Sequence, residues 1–211
     1  MINFGIYRAS EADEMAGLLG EVFARRDPPA VAAGLTPAEF ESFVHLFLPK
    51  AAAEGLTIVA RSAETGEMIG ALLTEDSASA APDGMDRLCP KFDPIFDILG
   101  QLDAEYRAGR TIRQGETLHL LLLGVASQFA GKGVAQGLVA TCLAHGAGKQ
   151  YRTAVTEATN TTSQHIFRKQ GFVERVRRSY RDHYFDGRKF FEGIADQGGP
   201  MLMEKQLKPH G

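Results

Sequence analysis

Residues 118–125 form a continuous apolar run interrupted only by His119, and the run passes without a spacer into a glycine-rich turn and then a helix-forming stretch. That succession allows few folds. A short Leu- and Val-rich run bounded by turn signals reads as a strand covered on both faces. The turn, residues 126–133, holds Gly131 and Gly133, and glycine lets a backbone take positive φ and approach a ligand closely. The helix expected over residues 134–149 points its first free N–H groups, and the positive end of its dipole, at the same spot. Strand, glycine turn and helix N-terminus together make an anion site, whose natural occupant is a diphosphate.

Spacing excludes two common nucleotide loops. A Walker A loop needs four residues between its first glycine and Gly-Lys, then Ser or Thr. Here six residues separate Gly124 from Gly131, and Gly133 follows Lys132. A dinucleotide fingerprint starting at Gly131 needs glycine at position 136, which is Gln136.

The rest of the chain supplies an α/β frame. Residues 2–8 read as a first strand. Ser10 offers an N-cap with Asp13 at N3, and Met15, Leu18, Leu19 and Val22 follow at helical spacing. Asp27-Pro28-Pro29 breaks that helix, and Thr36-Pro37 opens another with Phe40, Phe43, Val44 and Phe47 on one face. Residues 56–61 and 68–74 read as strands joined by a hairpin turn, 76–90 as a long loop, and 93–109 as a helix. Strands at 152–157, 172–180 and 201–207 surround a short helix at 163–169. The 211 residues suit a single domain over 1–211.

Composition narrows the partners. Residues are 44% hydrophobic and 23% charged, with 23 basic against 26 acidic side chains and a net charge of −3. Without a long basic run, nucleic acid is not an expected partner. No apolar run approaches the roughly 20 residues of a membrane span. The opening residues read as strand and helix, not as a signal peptide. Cys89 and Cys142, the only cysteines, read as free thiols of a reducing compartment, so the expected location is cytoplasmic.

Residues 124–135 resemble motif A of the GCN5-related N-acetyltransferase (GNAT) family: an apolar strand, Val, a short turn, then (Arg/Gln)-x-x-Gly-x-(Gly/Ala). Val125 fills the strand-end position and Gly133 and Ala135 the last two, while Ala130 stands where the family usually has Arg or Gln. Residues 157–172 resemble motif B, a strand end, a loop and a short helix leading to Gly171-Phe172. The resemblance is strong over residues 116–174 and weak before residue 110. It implies the GNAT fold, α/β (α+β mixed), with a central mixed, mostly antiparallel sheet, a parallel splayed pair of strands and helices on both faces. It also implies acetyl-CoA as cosubstrate, no metal, a small-molecule amine as acceptor, no nucleic-acid or membrane partner, and a monomer or homodimer. By the same resemblance the coenzyme is held by Leu123, Gly124, Val125, Phe129, Ala130, Gly131, Lys132, Gly133, Val134 and Ala135, and further along its arm by Asn160, Ser163 and Phe167. The departure at Ala130 removes a side-chain contact but leaves the backbone amides, which implies weaker or altered affinity. Residues 23–28 and 180–205 are similar to insect-type arylalkylamine N-acetyltransferases, which carry an acidic residue just before a proline, here Asp27-Pro28.

Attack on a thioester needs a neutral amine, so a base must take its proton. His119 lies six residues before Val125, where a vertebrate serotonin-acetylating relative has a histidine; that relative's second histidine corresponds to Leu121. A core histidine bonded to a carbonyl is the alternative. Asp27 matches the acidic residue of the insect-type enzymes, or is a turn former before two prolines. Glu157 ends a strand beside the cleft, or is a solvated strand end. For the acid, most relatives place Tyr four residues before the Gly-Phe glycine, and Phe167 stands there. Ser163, with Thr159 one turn earlier, and Tyr184 are the remaining candidates, and the thiolate can also leave unassisted. Phe40, Phe43, Phe47, Phe190 and Phe191 are core residues or the lining of an acceptor pocket; the second case favours an apolar or aromatic amine over an aminoglycoside, and an arylalkylamine or a polyamine is the expected acceptor. A non-catalytic acyl-CoA sensor, suggested by Ala130 and Phe167, and a protein N-acetyltransferase are the competing functions.

Overall fold

The computed structural model describes residues 1–207. Its strands are β1 (Ile2–Ile6), β2 (Ile58–Ser62), β3 (Met68–Asp76), β4 (Thr117–Val125), β5 (Thr153–Ala158), β6 (Val173–Arg177) and β7 (Met201–Gln206). They form one sheet in the order β1-β2-β3-β4-β5-β7-β6. Every pairing is antiparallel except β4 with β5, which is parallel. The helices are α1 (Ala12–Arg26), α2 (Pro28–Ala32), α3 (Pro37–Glu54), α4 (Asp93–Arg107), α5 (Val134–Gly148) and α6 (Thr161–Lys169). The mixed, mostly antiparallel sheet with flanking helices is the architecture expected from the sequence.

Local chemistry explains most boundaries. In α3, Thr36 and Glu39 cap each other's backbone, Pro37 sits in the first turn, and Gly55 ends the helix in the left-handed region. Ser10 does not cap α1. A single 3-10 turn at Ala9–Glu11 precedes that helix, and the Arg8 N–H donates to Glu11 Oε2 at 2.7 Å. Asp27-Pro28-Pro29 ends α1 as expected but also starts α2, because Asp27 caps it and proline suits a first helical turn. β3 runs two residues past the expected end at Thr74. β6 stops at Arg177, short of the expected Tyr180.

One face of the sheet carries α1, α3 and α4, with Met15, Leu19, Phe43, Val44 and Ile98 buried beneath them. The other carries α5, whose Val134, Leu138, Val139 and Cys142 pack on Ile58, Ile69, Leu72, Leu118 and Leu120. Each such large side chain contributes about 1.5–3 kcal/mol by leaving water.

Two irregularities of β4 create the site. β4 and β5 pair only from Thr117–Thr153 to His119–Val155, and beyond that they separate. The Thr156 hydroxyl donating to the Leu120 carbonyl at 2.9 Å is the last link. On the other edge the register with β3 slips: Leu73 opposes Leu122, Thr74 opposes Leu120, and Leu121 has no partner. Such a bulge reverses which face successive side chains take. Leu118 and Leu120 before it face α5, whereas Leu121 and Leu122 face the α1–α3 side.

Candidate active site

The splay opens into a cavity of about 440 Å³ on the α1–α3 side of the sheet. Its wall begins at Leu121, Leu122 and Leu123 of β4 and at Thr156 to Asn160 with Ser163 and Phe167. It continues past Asp27 and past Glu75, His119 and Glu157 into a chamber lined by Phe23, Phe40, Phe43, Phe47, Phe92 and Phe96. Phe23 stacks on Phe40 with centroids 4.9 Å apart, and Phe92 on Phe96 at 5.4 Å. Phe43 bridges the two pairs at 5.5 and 5.1 Å. Phe40, Phe43 and Phe47 are therefore both core residues and pocket lining, whereas Phe190 and Phe191 stand outside the cavity wall. At the far end Arg107 pairs with Asp103 and donates to the Ser77 carbonyl and hydroxyl at 2.9 Å.

His119 is held between two carboxylates. Its Nδ1 lies 3.0 Å from Glu75 Oε1 and its Nε2 2.6 Å from Glu157 Oε2. Carboxylates only accept, so both ring nitrogens must donate, and the ring is an imidazolium. Burial by itself would lower the pKa of His119, but the Glu157 and Glu75 charges and hydrogen bonds outweigh it and push it up to about 10. Burial raises both glutamates, yet the imidazolium holds each below the usual carboxylate range. Lys50 from α3 completes the row, 2.7 Å from Glu75 Oε2. Sequence reading missed Glu75 because it ended the strand at residue 74, whereas β3 runs to Asp76. The β3–β4 register, which sets Glu75 opposite His119, leaves no trace in the sequence.

Asp27 is buried, as a carboxylate at the start of α2. Its Oδ2 accepts the Ala30 N–H at 3.4 Å, and its Oδ1 accepts the Thr159 hydroxyl. Burial raises its pKa to about 6, with the Thr159 and Ala30 hydrogen bonds pulling the other way. The Thr159 carbonyl in turn accepts from the fully buried Tyr180 hydroxyl at 2.7 Å. Ser163 is the third residue of α6 and trades caps with Asn160: its N–H donates to Asn160 Oδ1 and its hydroxyl to the Asn160 carbonyl, both at 2.9 Å. Phe167 packs edge-on against Phe172 at 5.1 Å. Tyr184 is 58% exposed and contributes nothing to the cavity wall, so the C-terminal segment does not fold it inward.

The glycine turn is open to solvent. Gly131, Lys132 and Gly133 are exposed, Gly131 and Gly133 have φ of 74° and 78°, and a Cβ on either would meet nothing within 4 Å. No side chain caps α5, and its first backbone bond is Gly137 N–H to the Gly133 carbonyl at 2.9 Å. The amides of Val134, Ala135 and Gln136 precede that bond and face out of the helix end. An exposed loop with free donors, continuous with an unpaired strand edge, fits a diphosphate joined to an extended amide-bearing arm. Val125 and Phe129 pack toward α5, and Lys132 Nζ sits 5.0 Å above the Phe129 ring. A Cβ on Gly124 would lie 2.6 Å from Leu19 Cδ2, so the lack of a side chain there lets α1 approach β4. No group of three or more His, Cys, Asp and Glu side chains among the described residues is placed to hold a metal ion.

The family model described as Acetyltransferase (GNAT) family matches residues 37–172. The chain belongs to the GNAT family. No curated protein sequence matches it. Among solved structures this GNAT chain is similar to the C-terminal condensation domain of Ebony in complex with beta-alanyl-dopamine, at 14% identity and a TM-score of 0.90, covering 98% of this chain and 99% of that one. It is similar to arylalkylamine N-acetyltransferase 2 from Aedes aegypti, at 19% identity and a TM-score of 0.79 over 98% and 99% of the two chains. It is also similar to the Drosophila melanogaster polyamine N-acetyltransferase, at 17% identity and 0.78 over 98% and 100%. At these identities the likeness establishes the GNAT fold over the whole described chain.

Proposed function

We propose that the protein transfers an acetyl group from acetyl-CoA to the primary amine of a small molecule by direct attack in a ternary complex. The observation that carries this is the continuity of one cavity from the β4–β5 splay, past a buried carboxylate, into the phenyl-lined chamber. Residues 131–135 would hold the diphosphate through backbone N–H groups, and the free edges of β4 and β5 would hold the arm. The coenzyme supplies a thioester; the amine nitrogen bonds to its carbonyl carbon, the carbon–sulfur bond breaks, and the sulfur leaves as thiolate.

Asp27 is the residue assigned to take the amine's proton, directly or through ordered water. Its carboxyl is tuned to about 6, close enough to neutral pH to be both ionised and basic. His119 does not serve, because an imidazolium held by two carboxylates has no lone pair to offer. Glu157, bound to that imidazolium, keeps the ring in place and adds negative potential toward a substrate ammonium. The Ser163 and Tyr180 hydroxyl protons are already donated to carbonyls. The thiolate therefore leaves without a dedicated acid, as a thiol pKa of about 8.5 permits.

The phenyl chamber supports an aromatic or strongly apolar amine over a polyamine, which would need acidic groups where six phenylalanine rings stand. Thiol release measured with acetyl-CoA and a panel of amines tests the proposal. Phenylethylamine-like acceptors should turn over better than spermidine-like ones. Tight coenzyme binding without release of thiol for any amine would overturn the catalytic reading in favour of a sensor.

A further inference from the structure

The diphosphate loop lacks a side-chain contact at position 130, where Ala130 replaces the Arg or Gln of its relatives. We infer that Arg26, reaching across from α1, supplies that contact and binds the coenzyme's diphosphate; the inference rests on the proposed use of acetyl-CoA. Arg26 Nη2 donates to the Ser127 hydroxyl. Ser127 opens a single 3-10 turn whose far end is Ala130, with the Ala130 N–H on the Ser127 carbonyl at 3.1 Å. The guanidinium thus stands one turn from the position where the side chain is missing. Arg26 also lines the main cavity and a second cavity of about 430 Å³ between α1 and the loop. It therefore occupies the rim over which an arm lying in the splay would pass to reach the phosphate loop.

Its charge is uncommitted. Arg25 pairs with Glu21, and Arg61 with Glu11 and Glu14, whereas Arg26 meets no carboxylate among the described residues. A cation in the last turn suits the dipole of α1, and Arg25 already satisfies that preference. The dipole gives no reason for Arg26 to reach a loop 101 residues away in sequence. A planar guanidinium matches two phosphate oxygens better than an ammonium does, and the loop's own Lys132 is drawn over Phe129.

Titration calorimetry with coenzyme A, and the KM for acetyl-CoA against S-acetylpantetheine, which has no diphosphate, test the inference. Arg26→Gln should weaken coenzyme A binding about 10- to 100-fold, the loss expected for one charge-assisted bond. Its KM for S-acetylpantetheine should stay at the wild-type value, and Arg25→Gln should match the wild type with both donors. Unchanged coenzyme A affinity in Arg26→Gln would overturn the inference while leaving the proposed function standing. Equal losses with both donors would also overturn it, since Arg26 would then act on the arm or on the loop's shape. A wild-type protein that fails to bind coenzyme A would remove both.

Discussion

Asp27 and His119 show how two buried ionisable groups in one cavity are driven in opposite functional directions. Burial raises Asp27 from 3.8 to about 6, and the ionised form that a base requires is then a strain on the fold. The stabilising contribution of its neutral form is complete below the unfolded value and is lost as pH rises through about 6. Asp27→Asn should therefore stabilise the protein at pH 8, by up to about 3 kcal/mol for a shift of this size, and give no gain near pH 3.5. Denaturant melts at the two pH values check this. The same variant should lose the acid limb of kcat/KM near pH 6 and most of the activity. His119 has the same sign of pH dependence, but here the fold favours the charged form. Its raised pKa, about 10, contributes stability that is complete below about 6.5 and lost as pH rises through 10. His119→Ala leaves Glu75 and Glu157 buried without the cation between them, and breaking such a group costs about 3–5 kcal/mol. The destabilisation should be largest near pH 6 and shrink as pH rises from about 6.5 to 10; retention of wild-type stability at pH 6 would show the trio to be solvated.

At the scale of elements, the turn between β4 and α5 is the part most directly written in the chain. Gly131, Gly133 and the start of α5 fall where the spacing places them, because positive φ and free amides are local properties. Gly133→Glu puts a strained side chain and a negative charge at the helix N-terminus. With nothing within 4 Å of the new Cβ, the fold should survive and coenzyme binding should vanish, as calorimetry beside circular dichroism would show. Binding that persists would place the diphosphate elsewhere. The two extra residues of β3 and the bulge at Leu121 were not legible. Both follow from pairing with a strand more than 40 residues away, and a register set across the sheet has no local signature.

For the whole molecule, the opening between β4 and β5 leaves strand edges that an extended arm could pair with. Ligand that binds only the folded state adds about 2.7 kcal/mol at a hundredfold excess over Kd. For a chain of this length that corresponds to a rise of about 5–10 °C in Tm. Coenzyme A should give this shift in thermal denaturation, and Gly133→Glu should remove it. The phenylalanine-lined chamber is also a whole-molecule product. Phe23 of α1, Phe40, Phe43 and Phe47 of α3, and Phe92 and Phe96 at the start of α4 come from three separate segments. The helical spacing of Phe40, Phe43 and Phe47 announced a buried face, and only the stacking of α1, α3 and α4 on one side of the sheet turned that face into a pocket wall.

By itself the sequence determined most of the order of strands and helices along the chain, the glycine turn at residues 126–133 running into α5, and the pairing of that turn with a second motif ending at Gly171-Phe172. Those features depend on periodicity, glycine and capping, which act over a few residues. Tertiary structure alone decided the charge state of His119, the depth of Asp27 and the reach of Arg26 to Ser127. Each depends on a partner far off in sequence, Glu75 and Glu157 for the first, Thr159 for the second, Ser127 for the third. Electrostatic character is a property of surroundings, and the surroundings exist only once the sheet has closed and the helices have packed.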